Sequence, residues 1–215
     1  MSKELWKPGN MLYPVPAVMI SCWDKKEKKS NIITVAWAGT ICSDPAMVSI
    51  SVRPERYSHD IIEKSGEFVV NLVNTGLAKA CDWCGVRSGR DYDKFKEMKL
   101  TEYKSEIMET PAIEESPVNI YCKVKKVEKL GSHDMFLAEV VGVTVDDEYM
   151  DEKGRFDLAA TGLIAYSHGE YFSLGKKLGK FGFSVKKQKK NNKKKKYKLQ
   201  FSPKPNEVIK RDTED

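Results

Sequence analysis

Two arginines, a tyrosine and a serine fall within six residues, Arg53-Pro-Glu-Arg56-Tyr57-Ser58. They follow Met47-Val-Ser-Ile-Ser-Val52, whose alternation reads as a strand. They precede Ile61 and Ile62, the apolar face of a short helix over 58–64 with Ser58 as its N-cap and Gly66 as its stop. A helix start offers unpaired N–H groups and the positive end of the helix dipole. Arg53 and Arg56 add forked, charge-assisted hydrogen bonds, and Tyr57 and Ser58 add hydroxyls. That combination suits a phosphate. Upstream, Asn31, Thr34, Ser43, Ser49 and Ser51 offer small polar groups for the edge of a flat aromatic ligand, and Trp37 offers a wall. Taken alone, the spacing favours a plainer reading: solvated arginines, an ordinary serine cap, hydroxyls on the wet face of a sheet and a core tryptophan.

Other chemistry is thinner. Cys81-Asp-Trp-Cys84 is a Cys-x-x-Cys pair, redox-active in a βαβ setting that the surrounding pattern does not supply. Zinc would need two further ligands, yet Cys122 falls in a strand and His59, His133 and His168 show no ligand spacing. Structural thiols are the simpler reading. No Gly-x-Gly-x-x-Gly follows a strand, so a dedicated dinucleotide-binding domain is not expected. No Ser/His/Asp set or carboxylate pair stands out, so no catalytic side chain and no metal ligand is assigned.

These residues must be held by a framework of strands. Residues 17–23, 31–38, 47–52, 67–73, 118–130 and 135–145 read as strands, with Gly39 breaking the second. Shorter extended segments at 163–167 and 171–174 flank His168-Gly169. Helix is expected at 58–64 and 77–84, and the stretch from Gly85 to Lys96 has loop composition. An acidic stretch over 146–157 is expected to be mobile. Strands at this spacing, joined by short turns, argue a mainly β (α+β) chain closed into a β-barrel with short helical inserts.

The chain has 215 residues, 40% apolar and 32% charged, enough for a sizeable core. No apolar run is long enough to cross a bilayer, and Met1-Ser-Lys-Glu-Leu-Trp lacks the apolar core of a signal peptide. Five cysteines, an odd number, do not suggest a secreted disulfide framework. A cytoplasmic protein without membrane partners is expected. The net charge of +6 is uneven, with 12 Lys and Arg against 4 Asp and Glu from Lys186 onward. Residues 1–185 are therefore slightly acidic, and the basic balance is no argument for nucleic-acid binding. Nine of the thirteen residues 186–198 are Lys, a composition that self-repulsion keeps extended. A domain over 1–185 and a disordered tail over 186–215 are expected, the tail solvated rather than built to bind a partner.

Several motifs, in order, carry a resemblance. They are Pro14-Val-Pro-Ala-Val-Met, Asn31-Ile-Ile-Thr-Val-Ala-Trp-Ala-Gly-Thr, Ser43-Asp-Pro, Ser49-Ile-Ser-Val-Arg-Pro-Glu-Arg-Tyr-Ser-His59, Phe68-Val-Val-Asn-Leu72, Ser88-Gly-Arg-Asp-Tyr-Asp-Lys-Phe95 and Tyr171-Phe-Ser-Leu-Gly. Together they resemble the flavin reductase-like proteins over residues 8–185, nearest the flavoredoxin branch. The resemblance implies an FMN-binding split β-barrel that forms a homodimer. It implies that Asn31, Ile32, Ile33, Thr34, Cys42 and Ser43 line the isoalloxazine. Ser51, Val52 and Arg53 would approach the ribityl-phosphate chain, and Arg56, Tyr57 and Ser58 would hold the phosphate. Asp93 and Lys94 match the family's loop near the flavin. The implied activity is that of an oxidoreductase passing electrons through FMN, from NAD(P)H or from a redox protein. The alternative is a flavoredoxin-type carrier between proteins, and a non-redox binding module using the basic tail is a third reading.

Overall fold

A computed structural model describes residues 1–185, and the lysine-rich tail lies outside the described residues. The main sheet begins with β2 (Val18–Asp24) and β3 (Lys29–Val35), paired antiparallel across the Lys25–Lys28 turn. The chain then makes a two-residue step, Ala36-Trp37, into β4 (Ala38–Ser43) and returns as β5 (Ala46–Val52). Helix α1 (Tyr57–Ser65) leads to β6 (Glu67–Leu72). Two long strands, β9 (Val118–Lys129) and β10 (Asp134–Val145), complete a seven-stranded antiparallel sheet. Its order is β3-β2-β6-β9-β10-β5-β4. Since β3 and β4 are its two ends and are joined by two residues, the sheet must curl back on itself. Ser51 N–H donates to Trp37 O at 2.9 Å across that junction.

Between β6 and β9 lie α2 (Ala78–Val86), α3 (Lys94–Met98) and a small ladder of β7 (Glu102–Tyr103) with β8 (Ala112–Ile113). A third sheet runs from β1 (Val15–Pro16) through β11 (Ile164–Ser167) to β12 (Glu170–Ser173).

Strand alternation explains two cores. Val18, Ile20 and Cys22 of β2 point into the barrel, where Ile33, Val35, Ile50, Val52, Phe68 and Phe136 meet them. Ala17, Met19 and Ile32 point to the opposite face and are covered by Ala80, Cys81 and Cys84 of α2 and by Phe95 of α3. β2 and β3 are therefore apolar on both faces, as strands between two layers should be. Asn71 on β6 ties the layers. Its Nδ2 donates to Met19 O at 2.9 Å and Ser21 Oγ at 3.1 Å, and its Oδ1 accepts from Ile113 N at 2.9 Å.

Several local expectations change. Gly39 does not end a strand; it lies inside β4, and the break falls at Ala36-Trp37. β4 is an edge strand paired on one side, mostly exposed, so it carries little apolar periodicity. The residue capping α1 is Arg56, extended at φ −73°, ψ 134°, with no side-chain cap bond, and Ser58 is the second residue of the helix proper. The 85–96 stretch is not all loop: α2 runs to Val86 and α3 starts at Lys94, where Asp93 accepts from Lys96 N–H at 3.2 Å. The acidic stretch is ordered around Asp151, whose Oδ1 accepts from Lys153 N–H and Arg155 N–H at 3.0 and 2.9 Å. No helix among the described residues is long and apolar enough to cross a membrane. Contacts divide the chain into one unit over Met1–Gly175 and a second beginning at Lys176.

Candidate functional site

The step between β3 and β4, the end of β5 and the middle of α2 surround a cleft of about 400 Å³. Ile33, Thr34, Val35, Ala36 and Trp37 form one side, Ser51, Val52, Arg53 and Arg56 another. β3 is an end strand, so alternate peptide groups on its outer edge have no strand partner. Ile32 C=O lies on that edge and accepts from Lys94 Nζ at 2.7 Å. Since direction alternates along a strand, the N–H and C=O of Thr34 face the same free edge. Helix α2 lies close over β3: a Cβ on Gly85 would stand 3.1 Å from Thr34 Cβ. The Thr34 hydroxyl itself bonds to Cys81 O.

At the other end, the Arg53–Ser58 turn carries the cations. Arg56 N–H donates to Arg53 O at 3.0 Å, which closes the turn and places both side chains at the cleft. Arg53 makes only an exposed pair with Glu55, at 3.6 Å. No side chain caps the start of α1, so its first N–H groups remain open to an anion. Behind it is a small recess lined by Asn31, Arg56, Tyr57, Ser58, Gly89 and Lys94. Asn31 Nδ2 donates to the Ser58 hydroxyl at 2.7 Å, and both residues are buried. Gly89 touches this pair so closely that a Cβ there would stand 2.1 Å from Asn31 Oδ1.

Lys94 is the least ordinary group. It is 4% exposed, and its Nζ donates to Ile32 O and to Cys84 O, the latter at 2.6 Å. Burial pushes its ammonium down to about 8. It joins the free edge of β3 to the last turn of α2. His59, one residue past Ser58, is buried with its Nε2 2.9 Å from Asp134 Oδ2, which holds α1 to the start of β10. With Asp60 and Glu63 it forms the one group of potential metal ligands among the described residues, but Asp60 already faces Lys64 at 3.8 Å.

The expected residues are thus partly gathered. Ile33, Thr34, Ser51, Val52, Arg53 and Arg56 line the large cleft; Asn31, Ile33, Arg56, Tyr57, Ser58 and Lys94 line the recess. Ile32 contributes its backbone, its side chain being fully buried in the outer core. Cys42 and Ser43 lie at the far end of β4, beside the Asp44-Pro45 turn, and line neither space. Asp93 serves as the cap of α3. Cys81 and Cys84 face the core from α2, and burial pushes their thiols up to about 12 and about 11, so neither is a thiolate at neutral pH.

Sequence reasoning missed the mouth of the large cleft. Asp82, His133, Tyr166 and Tyr171 line it from three segments: α2, the turn between β9 and β10, and the β11–β12 hairpin, where the two tyrosines pair. Tyr171 donates to Asp82 Oδ1 at 3.3 Å and meets Tyr166 edge-on at 5.4 Å. Burial, then Asp82 and Cys81, hold the Tyr171 phenol well above its ordinary range. Burial and then Arg53 hold the His133 imidazole below its ordinary range, so it is neutral at neutral pH. Only proximity in the fold unites these groups; no spacing in the sequence does.

The donor set fits a phosphate-bearing flat ligand. Two guanidinium groups and an uncapped helix start stand at one end, and free strand-edge peptide groups with an aromatic wall stand at the other. Comparisons with known proteins agree with that chemistry. Residues 11–175 match the family model described as flavin reductase like domain. An uncharacterised protein of Archaeoglobus fulgidus is 29% identical over 173 residues, 80% of this chain and 95% of that one. Among solved structures, the flavoredoxin of Desulfovibrio vulgaris (Miyazaki F) superposes with a TM-score of 0.79 at 27% identity, covering 86% of this chain and all of that one (100%). An FMN-binding protein from Thermus thermophilus, solved with bound 1-cyclohex-2-enone, shares the fold with a TM-score of 0.66 at 24% identity, over 80% and 95% of the two chains. The fold is the split barrel of these flavin reductase-like proteins.

Proposed function

The chain belongs to the flavin reductase like domain family, and from that premise we propose that it is an FMN-dependent oxidoreductase. The observation that carries the reading is the meeting, in one cleft, of Arg53, Arg56 and the open start of α1 with the free edge of β3. When bound, the flavin supplies hydride and single-electron chemistry. The protein's part is to bind and orient it. Arg53, Arg56, Tyr57 and Ser58 hold the phosphate, with Ser58 fixed by Asn31. The Thr34 peptide group meets the polar edge of the ring, and Ser51 and Val52 flank the ribityl chain. Lys94 clamps Ile32 and Cys84 and so fixes the β3 edge. Cys42 and Ser43, which stand outside the cleft of this chain, are proposed to reach a flavin across the interface of a homodimer. Sedimentation as a monomer with full flavin content would remove them from the site.

NAD(P)H is the proposed donor. The decisive measurement is anaerobic mixing of the FMN-loaded protein with NADH or NADPH while flavin absorbance is followed. Bleaching on the timescale of turnover is expected. The flavoredoxin likeness favours a second reading, an electron carrier between proteins. Failure to bleach with either nucleotide, together with reduction by a ferredoxin-like donor, would establish the carrier instead. Protein that takes up no flavin at all would overturn both.

A further inference from the structure

A second cleft, of about 410 Å³, lies on the outer side of the phosphate turn. One wall is the β2–β3 hairpin, with Trp23, Asp24, Lys25 and Lys26; the other is α1, with Tyr57, Ile61 and Lys64. Arg90 reaches in from the loop before α3, its guanidinium over the Tyr57 ring at 5.3 Å. Tyr57 also lines the Asn31–Ser58 recess, so one ring separates the phosphate turn from this cleft.

Two aromatic rings and an isoleucine make walls that suit a flat base. Lys26, Lys64 and Arg90 make a cationic rim that suits a phosphate. The two carboxylates present are engaged. Asp24 Oδ1 accepts from the N–H groups of Lys26 and Glu27 at 2.9 and 3.1 Å, turning the hairpin. Asp60 faces His59 Nδ1 at 3.4 Å and Lys64 at 3.8 Å. The ion pairs of Lys26 with Glu27, at 4.0 Å, and of Lys64 with Asp60 are exposed, and a ligand phosphate can displace such pairs at little cost.

We propose that this cleft binds an adenylate group, the nucleoside-phosphate half of a dinucleotide. The Tyr57 ring is common to the recess at Arg56 and Ser58 and to this cleft, which sets the two spaces side by side, as the two halves of a dinucleotide require. The adenylate of a flavin dinucleotide and that of a pyridine dinucleotide offer the same chemistry, a purine beside a phosphate.

The test is calorimetric titration of AMP into the full-length, FMN-saturated protein, wild type and the double variant Lys26→Glu, Lys64→Glu. Both side chains are exposed and outside the flavin cleft, so the variant is expected to melt as the wild type does and to bind FMN unchanged. AMP is expected to bind the wild type saturably and the variant at least about tenfold more weakly, as two reversed charges beside a phosphate imply. No saturable AMP binding to the wild type, or equal binding to both, overturns the proposal. A wild-type chain that takes up no FMN, yet binds AMP and loses it in the variant, would sink the flavin reading and leave this one standing. Titrations of FAD and NADPH identify the source. An affinity of FAD above that of FMN, lost in the variant, assigns the adenylate to the flavin; a weakened NADPH with FAD unchanged assigns it to the pyridine nucleotide.

Discussion

At the residue scale, the site depends on where charge is left unsatisfied. Arg56 caps α1 only through its backbone, and its guanidinium stands at both the large cleft and the recess. Replacing it with alanine removes charge-assisted hydrogen bonds worth roughly 1.5–3 kcal/mol, so FMN affinity should fall about tenfold or more. Fluorescence titration of the released flavin reads this directly, and an unchanged dissociation constant would take Arg56 out of the site. Lys94 makes a prediction in pH. Burial lowers its ammonium to about 8 in the folded chain, while the unfolded chain keeps the ordinary 10.5. Between those values the unfolded state holds the extra proton, so stability rises with pH. The thiols act in the opposite sense. Burial raises Cys22, Cys81 and Cys122 to about 12, against 9.0 when unfolded, so above that value stability falls. Urea unfolding should show stability climbing from about pH 8 to 9 and declining beyond. Lys94→Met should erase the climb and keep the decline. The arginines and their serine were legible in the sequence because they are close in the chain. Asp82, His133 and the Tyr166–Tyr171 pair were not, because three segments far apart in the chain bring them together.

At the scale of elements, the cleft exists because β3 ends the sheet and α2 approaches it closely. Asn31–Val35 reads as a strand from its apolar content alone, but nothing local says that it is the end strand, and only that position leaves its peptide groups free. β4 escaped notice for a related reason: paired on one side and mostly exposed, it has glycine where a buried strand would have a branched side chain. The cap of α1 was misassigned because Ser58 is a good capping residue, whereas its hydroxyl is taken by Asn31 across 27 residues of chain. Gly89 follows the same logic of close approach. An alanine there would press into Asn31 Oδ1 and stand 2.9 Å from Tyr57 Cδ1. Gly89→Ala should cost about 1–3 kcal/mol of stability through overpacking. It should also loosen flavin binding, because Asn31 and Tyr57 must both shift. Thermal denaturation paired with a flavin titration checks both effects; a variant as stable and as tight as wild type would show that the loop gives way without cost.

At the scale of the molecule, two apolar layers share β2 and β3, one inside the barrel and one beneath α2 and α3. The double burial itself was not legible, because Ser21, Asn31 and Thr34 interrupt the apolar runs; the fold class was read from the number and spacing of strands joined by short turns. The order of the strands could not be, since β6 must cross to lie between β2 and β9 and periodicity carries no information about neighbours. The family model ends at residue 175, which is also where the contacts divide the chain. Deleting 186–215 should therefore leave flavin content and melting temperature unchanged. Loss of flavin in that truncation would show that the lysine-rich segment belongs to the binding unit.

The distribution of sulfur has a practical consequence. Of the five thiols, four are sealed in the two cores, and only Cys42, on the outer strand β4, is partly open to solvent. A maleimide reagent applied to the separated, flavin-free chain should therefore attach at one place, and a nitroxide carried there would mark that edge with no engineered substitution. If two copies associate along β4, the paired labels would report their separation by pulsed electron resonance. The wild-type chain thus already carries the probe needed to map its own assembly.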